Sequence, residues 1–222
     1  MKKAISLMPF IILVAGCLNY KEFSVVDVTI ESESRLVVDG KNIDIVQGYL
    51  KDDDYVGRLL RSVVGNSLGK DRSRAVILYL KANVRYYCLW AVVNALDKMG
   101  CDVYVVIGDG RNLKLMQRSG LLTGEYYLID KREIRSFRQI ETSYLFEGVS
   151  VADAAKAAIP NRQGTSLDSV DVRCSMDLPV FTFLSVLAVA QEKGYCVANL
   201  RYPLGESVAD AVRDYIEGVD GL

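Results

Sequence analysis

Ala75-Val76-Ile77-Leu78-Tyr79-Leu80 is an unbroken apolar run rich in β-branched and aromatic residues. It is followed by the helical stretch Tyr86 to Met99, by Gly100, and by a second apolar run, Val103 to Ile107. Runs of this kind suit strands buried on both faces, and a glycine directly after a helix suits a left-handed cap. Strand, helix and strand within so short a stretch form a βαβ unit, whose two strands should be parallel with a right-handed crossover. The same plan returns downstream in Val170 to Cys174, Val180 to Lys193, Gly194 and Cys196 to Leu200. A shift of 94 positions sets Val76 on Val170, Val92 on Val186, Gly100 on Gly194 and Val103 on Val197, and pairs Asn83 with Asp177 in the turn before each helix. The two units are expected to be equivalent halves of one chain.

A second echo is closer in residue identity. Gly148-Val149-Ser150-Val151-Ala152-Asp153-Ala154 matches Gly205-Glu206-Ser207-Val208-Ala209-Asp210-Ala211, and seven of twelve residues agree out to Ile159 and Ile216. Ser150 and Ser207 sit where helix N-caps belong, with Asp153 and Asp210 three residues on, an approximation of a capping box. Capping chemistry alone would also produce such an echo. Pro160 should close the first of these helices, and the second, Ser207 to Ile216, carries the apolar stripe Val208, Ala211, Val212, Tyr215 and Ile216.

Upstream, Val25 to Ile30 and Arg35 to Val38 alternate apolar and polar residues around Ser32-Glu33-Ser34, which predicts a hairpin of two strands, and Asp39-Gly40 supplies turn chemistry after it. Asp52-Asp53-Asp54 precede Tyr55, Val56, Leu59, Leu60, Val63 and Val64, apolar positions at helical spacing with acids at the positive helix end. The cluster lacks the alternating oxygen-ligand spacing of a calcium loop, so it is read as a helix start.

The N-terminus decides the compartment. Lys2-Lys3, the 13-residue uncharged stretch Ala4 to Gly16 and the ending Leu13-Val14-Ala15-Gly16-Cys17 form a signal segment too short for the roughly 20 residues of a membrane-spanning helix. Leu-Val-Ala-Gly-Cys resembles the lipobox of bacterial lipoproteins. That resemblance implies cleavage after residue 16, diacylation of the Cys17 thiol, a short tether over residues 17–24, and, because Leu18 rather than Asp follows, delivery to the outer membrane. Removal of residues 1–16 takes Lys2 and Lys3 away and leaves 206 residues with 25 basic and 28 acidic side chains, a formal charge of −3. Such a balance disfavours nucleic-acid binding.

Histidine is absent from the chain, which removes Ser-His-Asp, Cys-His and His-ligated metal chemistry together. Cys88, Cys101, Cys174 and Cys196 each sit in or beside an apolar run and form no CxxC motif, so they are read as buried thiols, although an exported compartment permits disulfides. No catalytic residue, metal site or cofactor is expected.

With the elements placed, Val25 to Ile107 resembles the periplasmic domain of the ExbD/TolR family of biopolymer transport proteins. Val28-Thr29-Ile30 and Arg35-Leu36-Val37-Val38-Asp39-Gly40 match its opening hairpin. Ala75 to Asn83, Tyr86, Val92-Val93, Leu96 and Gly100 match its strand, polar turn and crossover helix. The stretch Tyr144 to Leu200 matches more loosely as a second copy. Asn83 stands where the family carries Asp, and Asp177-Leu178-Pro179-Val180 restores that pattern. The family's transmembrane helix with its acidic residue has no counterpart in Ala4 to Gly16, so its energy-coupling role does not carry over.

The resemblance implies a mixed α/β fold in tandem modules, 25–110 and 142–222, joined by a connector, 111–141. It also implies a tendency to dimerise, satisfied here within one chain, and contacts with envelope proteins or peptidoglycan. Asn83, Asp177, Tyr86 and Tyr87 are the turn positions a partner could meet, although Tyr86, Tyr87 and Trp90 on one helix are read first as core. Gly108-Asp109-Gly110-Arg111 lacks a phosphate-loop pattern and reads as a tight turn. Lys131, Arg132, Arg135 and Arg138 form a basic stretch read as a solvated linker face that could touch an anionic partner. The expected role is a non-catalytic binding or scaffolding lipoprotein. The alternatives are an auxiliary subunit of a proton-driven transport complex and a carboxylate hydrolase built on Asp177 and Asp109, the latter without any paired-carboxylate motif.

Overall fold

The computed structural model describes residues 24–45, 53–67, 74–82, 84–108, 110–117, 125–138, 141–162 and 169–204. Within them the fold is mixed α/β: four helices and one mixed sheet of 11 strands. The first half contains β1 (Ser24–Ser32), β2 (Arg35–Val38), β3 (Lys41–Asp44), α1 (Asp53–Ser67), β4 (Arg74–Leu80), α2 (Tyr86–Lys98) and β5 (Asp102–Ile107). After β6 (Arg111–Gln117), the second half contains β7 (Tyr126–Ile129), β8 (Glu133–Phe137), β9 (Glu141–Leu145), α3 (Val151–Ala158), β10 (Ser169–Cys174), α4 (Val180–Glu192) and β11 (Val197–Leu200). The lateral order is β3-β2-β1-β4-β5-β6-β11-β10-β7-β8-β9. Each half therefore runs through three strands, helix, strand, helix and strand, and each fills the sheet in the same order from its outer edge inward.

Registers repeat as well as connectivity. Val28 lies opposite Leu78 and Ile30 opposite Leu80, all four on the helix-covered face, with Leu80 only half-buried; Tyr127 and Ile129 lie opposite Val172 and Cys174 in the same way. In both halves the two parallel strand pairs flank a strand whose inner residues meet the crossover helix, as a βαβ unit requires. β6 is antiparallel to β5 and parallel to β11, so the strands of the second half run opposite to those of the first. Both crossover helices are closed by a glycine at positive φ, Gly100 at 73° and Gly194 at 95°, where a Cβ would be strained.

Three expectations about the strands are corrected. The opening hairpin has a third strand: Asp39 (φ 47°) and Gly40 (φ 76°) form a tight turn whose backbone twist matches the flanking strands and returns the chain as β3. The polar sequence Lys-Asn-Ile-Asp hides that strand because it is an edge with little to bury. The stretch 111–141 is not a plain connector but holds β6, β7, β8 and the first residue of β9; Glu133 and Arg135 alternate with the buried Ile134 and Ser136, so the charges lie on the open face of a strand. The 94-position register holds through the first strand, the crossover helix and its glycine but slips at the last strand. Val76 pairs with Val103 while Val170 pairs with Ala198, so Val103 corresponds to Ala198 rather than Val197. Connectivity matches α3 with α1, and the echo segment 205–216 lies outside the described residues.

Local chemistry accounts for the helix starts and faces. Val56, Leu60 and Val64 repeat every four residues and form the buried side of α1. Ser150 caps α3, accepting the Asp153 N–H at 3.1 Å, while its hydroxyl donates to the Asp153 carboxylate at 2.7 Å; the carboxylate holds the cap side chain instead of the cap backbone. Every residue of α2 from Tyr86 to Leu96 is buried. Cys88, Cys101 and Cys174 are buried free thiols as expected, but Cys196 is exposed, because it precedes β11 outside the packed layer. Among the described residues no helix is long and apolar enough to cross a membrane.

Candidate functional site

The first turn of a helix leaves N–H groups without an intrahelical acceptor. Neither α2 nor α4 solves this with a capping side chain: Arg85 and Pro179 occupy the caps and make no side-chain cap bond. The two helix starts use each other. The Tyr86 N–H donates to the Leu178 carbonyl at 2.8 Å, and the Val180 N–H donates to the Val84 carbonyl at 2.9 Å, with Arg85 and Pro179 bridged antiparallel between them. The shift of 94 that takes Tyr86 to Val180 and Val84 to Leu178 turns one bond into the other. Reciprocity of this kind, i to j and j to i, is what an isologous twofold contact looks like. The Tyr87 N–H extends the seam to the Met176 carbonyl at 3.1 Å, and the Tyr86 and Phe183 rings meet edge to face at 5.1 Å across it.

Each helix start is also tied to the hairpin turn of its own half. In the first half Glu33, in the β1–β2 turn, pairs with Arg85 at 3.2 Å. In the second half Lys131, in the β7–β8 turn, pairs with Asp177, and the Ser175 hydroxyl donates to Asp130 at 3.0 Å. The two ties occupy corresponding places with opposite polarity. Asp177 is therefore a seam residue held by Lys131. Its partner by sequence, Asn83, lies outside the described residues, as do Cys17 and Asp109.

Tyr86 and Tyr87 face inward, with relative exposures of 0% and 7%. Burial pushes the Tyr86 hydroxyl well up, the Cys174 thiol beside it adding to the shift; its oxygen has no hydrogen-bond partner among the described residues. Tyr87 is raised by burial first and then by Glu33. Burial likewise raises the Cys88 thiol to about 12 and the Cys174 thiol well above its ordinary value, so both stay protonated at neutral pH. These groups pack the seam; they are not placed to meet an external partner. Three cations of the basic stretch are paired, since besides the Lys131 pair, Arg135 meets Glu133 at 2.7 Å and Arg138 meets Glu125 at 2.8 Å. Gly108 and Gly110 turn β5 into β6, the Gly110 N–H donating to the Ile107 carbonyl at 2.7 Å in a plain hairpin.

One charged assembly escaped the sequence reading. On the sheet face away from the helices, Asp171 of β10 accepts from Asn199 at 2.5 Å and from Arg201 at 2.7 Å, while Arg173 Nε donates to the Tyr202 carbonyl at 2.9 Å. Asp171, Arg173 and Arg201 are all buried. Tyr126, adjacent to both arginines, stacks on Phe137 at 4.5 Å with rings nearly parallel; burial raises its hydroxyl and the guanidiniums pull it back. The signal was the alternation Val170-Asp171-Val172-Arg173-Cys174, but its meaning depends on the register that places Asn199 opposite Asp171. Among the described residues no group of three or more His, Cys, Asp or Glu side chains gathers to hold a metal.

Comparison with protein-family models, with curated proteins and with solved structures finds no match to this chain.

Proposed function

We propose that this chain is a non-catalytic envelope lipoprotein, a binding or scaffolding part whose two ExbD/TolR-like halves replace a homodimer with an intrachain pseudo-dimer. The observation that carries the reading is the reciprocal pair of hydrogen bonds at the helix starts, Tyr86 to Leu178 and Val180 to Val84. A single-module relative would have to make that contact between two chains. The repeated connectivity supports duplication, and the ExbD/TolR kinship rests on the residues quoted above together with that connectivity. Residues 1–16 act as the signal peptide and Cys17 carries the lipid, facing the periplasm from the outer membrane; envelope proteins or peptidoglycan are the partners. No nucleic acid, cofactor or metal enters the role.

Metabolic labelling with a clickable fatty acid tests the anchor: the wild-type chain takes label and Cys17→Ala does not. Purification of the lipidated protein from membranes, with identification of what accompanies it, tests the scaffold. Recovery of envelope proteins or peptidoglycan fragments is expected. Robust hydrolase turnover abolished by Asp177→Asn would contradict the non-catalytic role.

A further inference from the structure

The helix-free face of the first half is open and mixed, with Val25, Ile77, Tyr79, Tyr104 and Met116 set among Asp27, Thr29, Asp102 and Lys114. Val25 pairs with Ala75, which pairs with Asp102; Asp27 pairs with Ile77, which pairs with Tyr104 and then Lys114; Thr29 pairs with Tyr79. These residues all point away from α1 and α2, because the alternate positions Val26, Val28, Val76, Leu78, Val103 and Val105 are the buried ones. Val25 is 54% exposed, Met116 41% and Tyr79 39%, and Ile77, Tyr104 and Val106 beside them are partly exposed. No described helix lies over them.

We propose that this face rests on the lipid surface that holds the anchor, with Val25, Tyr79 and Met116 pressed into the headgroup boundary. The inference depends on lipidation of Cys17, as read above. Chain length supplies the occupant: Ser24 begins β1, seven residues after Cys17, so the face starts within about 25 Å of the acyl chains even if the tether is fully extended. Sheet geometry suits the interface, because the backbone groups of β1, β4, β5 and β6 are paired on both sides and only side chains meet the lipid. Tyr79 and Tyr104 offer rings with polar ends, which favour the headgroup level. Lys114 neutralises Asp102 at 2.6 Å, and Asp27, which forms no ion pair among the described residues, meets headgroup amines.

The test uses the full lipidated protein in phosphatidylethanolamine–phosphatidylglycerol vesicles, with the exposed Cys196 replaced by Ser. Nitroxide is attached at Tyr79→Cys, at Val25→Cys, or at Arg58→Cys on the exposed side of α1. The ratio of oxygen to nickel-chelate collision rates reads immersion. A ratio several-fold higher at 79 and 25 than at 58 is expected. Equal ratios with lipid present on Cys17 by mass spectrometry would overturn the proposal, as would shielding of 79 and 25 from both reagents, the result of a second copy covering the face. Absence of lipid from Cys17 would overturn the lipoprotein reading itself.

Discussion

Ile77 and Tyr79 in β4 correspond, in the register of the two halves, to Asp171 and Arg173 in β10, yet exposure runs against polarity. The apolar pair is partly open, Tyr79 at 39%, and the charged pair is buried at 8% and 9%. The same backbone plan thus carries two different outer faces. In the first half, side chains that cost little to desolvate are left open, the composition of a contact surface. In the second, ions are withdrawn from water, where Arg201, Asn199 and the Tyr202 carbonyl help to satisfy them.

The largest expected effect comes from breaking that second face. Asp171→Ala removes the buried carboxylate to which Arg201 and Asn199 donate and should cost about 3–5 kcal/mol in urea unfolding. Tyr79→Ser, at the position matched to Arg173, should change stability by no more than about 0.5 kcal/mol. Equal losses would erase the contrast. Next is the seam: Val180→Pro keeps the first helical position of α4 in a conformation proline accepts but removes the N–H given to Val84, for a loss of about 1–3 kcal/mol in the same measurement.

Gly100→Ala and Gly194→Ala compare the two helix ends. Each forces a Cβ into a left-handed conformation at about 1–2 kcal/mol, and Gly194 should lose more because its φ of 95° lies further from the left-handed helical well than the 73° of Gly100. The smallest effect is a pH dependence. Burial raises the Asp97 carboxyl at the end of α2, with Lys114 opposing, so the folded state holds that proton more tightly and stability falls as pH rises through the carboxylate range. Asp97→Asn should match the wild type at pH 3 and gain on it by pH 6.5; parallel curves would contradict the assignment.

Much of the fold was legible where pattern and burial coincide. The runs Ala75–Leu80 and Val103–Ile107, the helix from Tyr86 and the glycines at 100 and 194 fall where periodicity and cap chemistry place them, because each is buried enough for its sequence to show it. The edges were illegible for the opposite reason: β3 and β9 bury almost nothing, so Lys-Asn-Ile-Asp and Glu-Thr-Ser-Tyr-Leu carry no strand signal. The conspicuous echo at Ser150 and Ser207 pointed to helix caps, whereas the fainter 94-position register marked the corresponding halves. Asp177 was visible as a turn residue, but its tie to Lys131 depends on a hairpin read as linker. Arg173 and Arg201 could be found only once strand order brought β11 beside β10.

Sedimentation equilibrium of residues 18–222, without lipid, addresses the central claim most directly. If Tyr86–Leu178 and Val180–Val84 satisfy within one chain the contact that a single-module relative makes between two, the protein sediments at the mass of one chain across the accessible concentration range. An obligate dimer, stable to dilution, would contradict it.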